Sequence, residues 1–307
     1  MKLYPINNKE WTKDELHLLS KKSFFTDDIN KCDYVVSLSL DTIEEAYDKS
    51  RKFNKKLLSF IDYINPWEVF YEDETENGFF SKLSYRKKIF IFIKRLKQLE
   101  IFDKAEIKFV STPYVKTIVE NVLNKTIDCR FIKRGYNLEK SMVINNMFTQ
   151  DRKYITIYTD MSETDKMYHA IRALQYVPNI DRFTIIILSD KKDEVLKTIT
   201  YNSLLNIKFI RKINKYEVFK KSKFIICLNN KELILESLFY NTNVIAYKTE
   251  FLSQYFGNSV MFVENNSIID LSNKITTLLY ENEKKDHKSS YLPTMENFIT
   301  ELVSVKK

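Results

Sequence analysis

Short runs of β-branched and aromatic residues recur along the chain, and each is followed by a polar-apolar stretch of helical period, roughly 10 to 20 residues long. The runs read YVVSLSL, KLLSFIDY, IKFVS, DCRFI, YITIY, FTIIIL, IKFI, FIICL, VIAY and VMF. Connections of this length, helical rather than two-residue turns, demand parallel strands with crossover helices. The fold class that follows is α/β, with each sheet covered by helices and ligands held at the carboxyl ends of the strands.

The alternation divides in two. In the first half it predicts strands at Tyr34–Leu40, Lys56–Tyr63, Ile107–Ser111 and Asp128–Ile132, with helices at Thr42–Phe53 and about Lys82–Leu99 and another opening at Pro113. Residues 136–151 lose the periodicity and read as a linker. Beyond them six strands are predicted, at Tyr154–Tyr158, Phe183–Leu188, Ile207–Ile210, Phe224–Leu228, Val244–Tyr247 and Val260–Phe262. Helices fall at Asp165–Leu174, Lys192–Asn202, Lys215–Lys220, Lys231–Tyr240 and Ile268–Tyr280. A length of 307 residues exceeds what one core usually supports, about 250 to 300 residues. The expected organisation is one Rossmann-like domain over 1–140 and a second over 151–290. A charged turn (ENEKKDHKSS, Glu281–Ser290) and a C-terminal helix within 291–307, predicted at Thr294–Val305, follow, and that helix is placed to cross back to the first domain.

Several function classes have no material to work with. The start, MKLYPINNKEWTKDEL, lacks the apolar core of an export signal, and nowhere do 18 apolar residues run together, so a cytoplasmic protein is expected. Cys32, Cys129 and Cys227 are widely spaced in apolar surroundings and read as free buried thiols. With His17, His169 and His287 far apart, neither a histidine metal site nor a Ser-His-Asp triad is suggested. Only Gly78, Gly135 and Gly257 are glycines, which excludes the Walker loop and the GxGxxG fingerprint. The net charge of +8 is spread over both halves, so it permits an anionic partner without naming one.

One segment, NNKELILESLFYNTNVIAY (Asn229–Tyr247), sets Glu236 within an otherwise apolar helix just after a strand. Leu233, Leu235, Leu238 and Phe239 supply the buried side, so the carboxylate must face water or meet a partner. Ahead of it come AEIKFVST (Ala105–Thr112), FIKRGYN (Phe131–Asn137), ITIYTDMSETDKMYHAIRAL (Ile155–Leu174), TIIILSD (Thr184–Asp190) and FIRKINKYEVFKKSKFIICL; MFVENNSIIDLSNKITTLL (Met261–Leu279) comes after it. In order and spacing these pieces resemble the GT-B glycosyltransferases, in particular the retaining family-four-like enzymes with a Glu, seven residues, Glu motif. The resemblance implies two Rossmann-like, doubly wound domains facing a central cleft, and transfer of a sugar from a nucleotide-diphosphate donor with retention and without an obligatory metal.

Such a donor needs positive charge or helix N-terminal amides at its diphosphate and a carboxylate at its ribose. The resemblance puts Lys166 at the diphosphate and Glu236, the second motif Glu, at the ribose; alone, either residue also fits a solvated helix position. Two positions depart from the pattern. Leu228 replaces the first motif Glu, eight residues before Glu236, and Met161 replaces the diphosphate arginine, five before Lys166. Asn229, Asn230 and Glu232 at the helix entrance, and Arg134 beside Gly135, are the candidate substitutes. The acceptor, a glycan, a lipid-linked glycan or a protein, is not specified, and no catalytic base can be placed. A second class remains open, a non-catalytic GT-B-like binding or partner subunit.

SKLSYRKKIFIFIKRLKQLEIF (Ser81–Phe102) joins Lys82, Arg86, Lys87, Lys88, Lys94, Arg95 and Lys97 to a run of Ile and Phe. It fits a crossover helix with solvated charges, or one lying peripherally on anionic membrane. Contact with a nucleic-acid backbone, as in a DNA-modifying glycosyltransferase, ranks below both, because no focused charge or aromatic stacking pattern accompanies it.

Overall fold

The computed structural model describes residues 2–6, 25–64, 85–134, 153–159, 164–191, 193, 205–212, 215–228, 230–240, 242–264, 267–280 and 295–304. The chain divides into two compact units, Met1–Asn137 with Pro293–Lys307, and Leu138–Leu292. The linker expected at 136–151, the helix at Lys192–Asn202 apart from Asp193, and the turn at Glu281–Ser290 lie outside the described residues.

In the first unit, strands β1 (Leu3–Pro5), β2 (Tyr34–Ser37), β3 (Lys56–Ile61), β4 (Ile107–Val110) and β5 (Arg130–Phe131) pair in parallel and in chain order. The opening segment MKLYPINNKEW thus carries a strand that its sequence does not announce: three residues ending in proline are too short to show a period, and proline is tolerated at a sheet edge. Helices α1 (Ile43–Lys52), α2 (Tyr85–Asp103) and α3 (Pro113–Leu123) follow β2, β3 and β4. Each has a local reason to form. Helix α1 buries Ile43, Ala46 and Ser50 on one face, with Glu44 and Glu45 in the first turn and three cations in the last, matching its dipole. Helix α3 starts on a Thr112 cap that accepts from the Val115 amide, with Pro113 in its first turn, and stops at Asn124 in the left-handed region (φ 50°).

Right-handed crossovers that always step the same way put their helices on the same face. Strand alternation sends Val36, Leu58, Phe60 and Phe109 to the other face, and helix α9 (Met295–Val303) covers it. Phe298, Ile299 and Leu302 are all about 1% exposed and share a core cluster with those residues; the Phe298 ring meets Phe60 edge-on at 5.1 Å. Three such side chains bury about 5–9 kcal/mol of apolar contact before the entropy of ordering the helix is counted.

The second unit has strands β6 (Tyr154–Tyr158), β7 (Thr184–Leu188), β8 (Ile207–Ile210), β9 (Ser222–Cys227), β10 (Asn243–Tyr247) and β11 (Met261–Val263), all parallel. Their order in the sheet is β11-β10-β9-β6-β7-β8. The chain steps outward from β6 to β8, returns to the far side of β6 as β9, and steps away in the opposite sense. The direction reverses between β6 and β9, and with it the face on which the crossover helices lie. Helices α4 (Thr164–Gln175) and α8 (Ile268–Tyr280) bury Met167, Ala170, Ile171, Leu174, Leu271 and Ile275 against Ile155, Ile157, Phe224, Ile226 and Ile245. The opposite face, bearing Thr156, Tyr158, Ile225 and Cys227, receives α5 (Lys215–Lys221) and α6 (Lys231–Phe239). Helix α7 (Glu250–Phe256) links β10 to β11; it has no counterpart among the predicted elements.

None of the cysteines is in a disulfide. Cys32 and Cys227 are buried, whereas Cys129, expected to be buried, is half-exposed because it precedes the two-residue edge strand β5.

Candidate functional site

A sheet whose winding reverses leaves a crevice at the carboxyl ends of the two strands flanking the reversal, since their following helices diverge to opposite faces. Here those strands are β6 and β9, and the helices are α4 and α6. Lys166 stands in the first turn of α4 and Glu236 in the second turn of α6, so both sequence-selected residues belong to the elements that border the crevice.

Glu236 is almost fully buried, its side chain 8% exposed. Burial of a carboxylate demands donors, and two are supplied from elements that sequence reasoning did not connect to it. The Tyr158 hydroxyl, at the end of β6, donates to Oε2 at 2.5 Å, and the Lys215 ammonium, the first residue of α5, pairs with Oε1. Behind them Tyr158, Phe219 and Tyr240 form an aromatic ladder with centroid spacings of 5.6 and 4.8 Å, which fixes the phenol. Separations of 78 and 21 residues along the chain hid both partners. The only cue was a tyrosine closing one strand and a lysine opening the helix that leads into another.

Lys166 is 6% exposed, well inside the range where lysine is rare. Its ammonium lies 5.8 Å from the centre of the Tyr247 ring, at the end of β10, and the Tyr247 hydroxyl donates to the Lys166 carbonyl at 3.5 Å. More cations crowd the same strand ends. Lys212 sits over the Tyr158 ring at 5.4 Å, and Lys231, opening α6, over Tyr255 at 5.2 Å. Lysine thus predominates here, with Glu236 as the buried carboxylate, a balance suited to an anionic ligand with hydroxyl groups.

The other nominated residues fall differently. The Asn230 side chain accepts from the Leu233 amide at 3.1 Å and caps α6, so its oxygen serves the helix. Glu232 is 70% exposed and pairs with Lys231 at 3.4 Å. Leu228 is part of the apolar core with Ile155 and Phe224, so this position does not present itself to a ligand. Arg134 follows β5 in the first unit, half-buried. Asn229 and Met161 lie outside the described residues. Among the described residues no group of His, Cys, Asp or Glu is arranged to hold a metal ion. A separate cavity of about 550 Å³ beside α5, lined by Tyr154, Phe209, Arg211, Glu217, Val218 and Lys221, shares none of the crevice residues.

The sequence matches no family model and no curated protein. Solved structures resemble the fold. HepE of Anabaena, in complex with UDP, aligns at a TM-score of 0.64 over 98% of this chain and 94% of its own, with 12% identity. A glycosyltransferase from Rickettsia africae ESF-5 gives 0.63 over 98% and 85%, with 15% identity. Sucrose-phosphate synthase from Thermosynechococcus elongatus gives 0.57 over 87% and 67%, with 13% identity. With two parallel α/β units and a likeness that spans nearly its whole length, the chain has the fold of the GT-B glycosyltransferases.

Proposed function

We propose that the chain is a glycosyltransferase that takes a sugar from a nucleotide-diphosphate donor, with Lys166 at the diphosphate and Glu236 at the ribose. The observation that carries the reading is the placement of a buried lysine on α4 and a buried carboxylate on α6, the helices that diverge from the winding reversal. A diphosphate is drawn to ammonium groups and to the amides opening a helix, while a ribose diol needs an acceptor. A carboxylate is an acceptor of the kind the diol needs, and Tyr158 and Lys215 hold this one in place. Because lysines supply the positive charge, donor binding is proposed to need no metal. HepE, solved with UDP and with UDP-glucose, makes uridine donors the first to try. Transfer with retention to a hydroxyl of a glycan, a lipid-linked glycan or a protein completes the proposal, on the strength of the motif resemblance.

The test is calorimetric titration with UDP, GDP and ADP in the presence of EDTA, followed by incubation with the corresponding sugar nucleotides. The expected outcome is binding of one nucleotide, weakened by about 1–3 kcal/mol in Glu236→Ala through the loss of charge-assisted hydrogen bonds, and slow hydrolysis of the matching donor. Equal affinity in parent and variant overturns the role of Glu236. A second reading, a binding subunit without turnover, is favoured by Leu228 lying in the core where the motif has its first carboxylate; nucleotide binding with no hydrolysis or transfer across the donor panel is its signature.

A further inference from the structure

Helix α2 is built in two halves that obey opposite rules. Its last turns behave as a packed crossover helix: Gln98, Leu99, Ile101 and Phe102 are buried, Arg95 pairs with Asp41 at 2.7 Å, and Lys97 pairs with Glu44 at 3.3 Å. Its first turns bury no side chain fully, although Ile89, Ile91 and Phe92 are half-buried on the inner face. There Tyr85, Phe90 and Ile93 are 74%, 70% and 58% exposed, and Arg86, Lys87 and Lys94 are exposed with them. Residues 86, 90, 93 and 97 fall at i, i+4, i+7 and i+11, one line along a helix. The outward line therefore reads Arg86, Phe90, Ile93, Lys97, with Lys87 and Lys94 beside it. No acidic residue occurs between Tyr85 and Leu99.

A solvated helix face places charge outward and hides its large apolar side chains. A single exposed phenylalanine is unremarkable. Two large apolar groups one turn apart, bracketed by cations with no intervening carboxylate, are matched by a surface that is anionic at its headgroups and apolar just beneath. A nucleic-acid backbone would reward the cations and leave Phe90 and Ile93 in water. We propose that the first half of α2 docks the protein on an anionic lipid bilayer, with Phe90 and Ile93 entering the headgroup-acyl boundary and Arg86, Lys87 and Lys94 on the phosphates. The inference rests on this helix alone and stands whether or not the second unit binds a sugar nucleotide.

The experiment is co-sedimentation of the full chain with vesicles of phosphatidylcholine alone and of phosphatidylcholine containing roughly a third phosphatidylglycerol, at about 0.1 M salt. Binding is expected only to the anionic vesicles. Phe90→Ser with Ile93→Ser should weaken it at least about tenfold, and Arg86→Gln, Lys87→Gln and Lys94→Gln together roughly 100-fold, at about 1 kcal/mol per cation. Melting curves matching the parent's assign these losses to the surface. Failure to bind anionic vesicles, equal binding to neutral ones, an apolar double variant that binds like the parent, or tighter binding to a short DNA duplex than to vesicles would each overturn the proposal.

Discussion

Replacing Lys215 by Met tests whether Glu236 is held by its ion pair or merely sits near it. The methionine keeps the length and apolar stem of the side chain and removes only the ammonium, leaving a carboxylate 8% exposed with the Tyr158 hydroxyl as its remaining partner of the two. Breaking one side of a fully buried pair costs about 3–5 kcal/mol. Lys215 is itself 24% exposed, so water can reach the vacated position, and the Tyr158 bond survives. The cost is accordingly discounted to about 1.5–3 kcal/mol. At about 2–4 °C per kcal/mol for a unit of this size, the expected fall in Tm is roughly 3 to 12 °C, read by circular dichroism or calorimetry. Glu236→Gln in the Lys215→Met background removes the buried charge and should recover more than half of the loss, giving a coupling energy between the two sites. A single variant that melts within about 1 °C of the parent, or a double variant no better than the single, would refute the argument that burial makes this pair obligatory.

Other consequences can be measured as directly. Tyr158→Phe keeps the contact with Phe219 and deletes one hydrogen bond to the buried charge, so it should cost about 1.5–3 kcal/mol in urea unfolding. Phe298→Ala should cost about 3–5 kcal/mol through the cavity left against Phe60, with unfolding of the first unit affected first; a near-neutral result would mean that α9 is dispensable. Burial pushes the Cys227 thiol from 9.0 up to about 12, so the unfolded chain releases that proton first. Stability from this group is complete below about pH 9 and is lost as pH rises towards 12. Cys227→Ala should therefore flatten the alkaline fall in stability, and Cys129 should react with a maleimide in the folded protein while Cys227 does not.

Strand positions were the most legible part of the chain. Tyr154–Tyr158 and Ile207–Ile210 occur with the bounds expected: both are runs rich in β-branched and aromatic residues between polar breaks, the first inside its sheet and the second at its edge. The helix Ile268–Tyr280 agrees as well, since its apolar period is long. The short elements β1 and α7 were invisible, one too brief for a period and the other sandwiched between strands. At the site, the sequence could select Glu236 because a carboxylate interrupts an apolar helix. It could not find Tyr158 or Lys215, whose involvement depends on which strand lies beside β9. That neighbour is β6, separated from it in sequence by β7 and β8, and only the winding order brings the two together. Leu228 shows the converse: a motif position read as a missing ligand is a core residue, occupied for packing.

The covering of the first sheet by α9 has a consequence for how the protein comes into being. The second unit is continuous in sequence, Leu138–Leu292, and can be completed as it leaves the ribosome. The first unit cannot: Val36, Leu58, Phe60 and Phe109 await Phe298, Ile299 and Leu302, which are synthesised only after the entire second unit. For that interval the older half of the nascent chain presents an uncovered apolar sheet face, a natural substrate for chaperones, and its final closure is a late, long-range event. A stop codon placed just before residue 295 would make that interval permanent, yielding a chain with one sound half and one that aggregates.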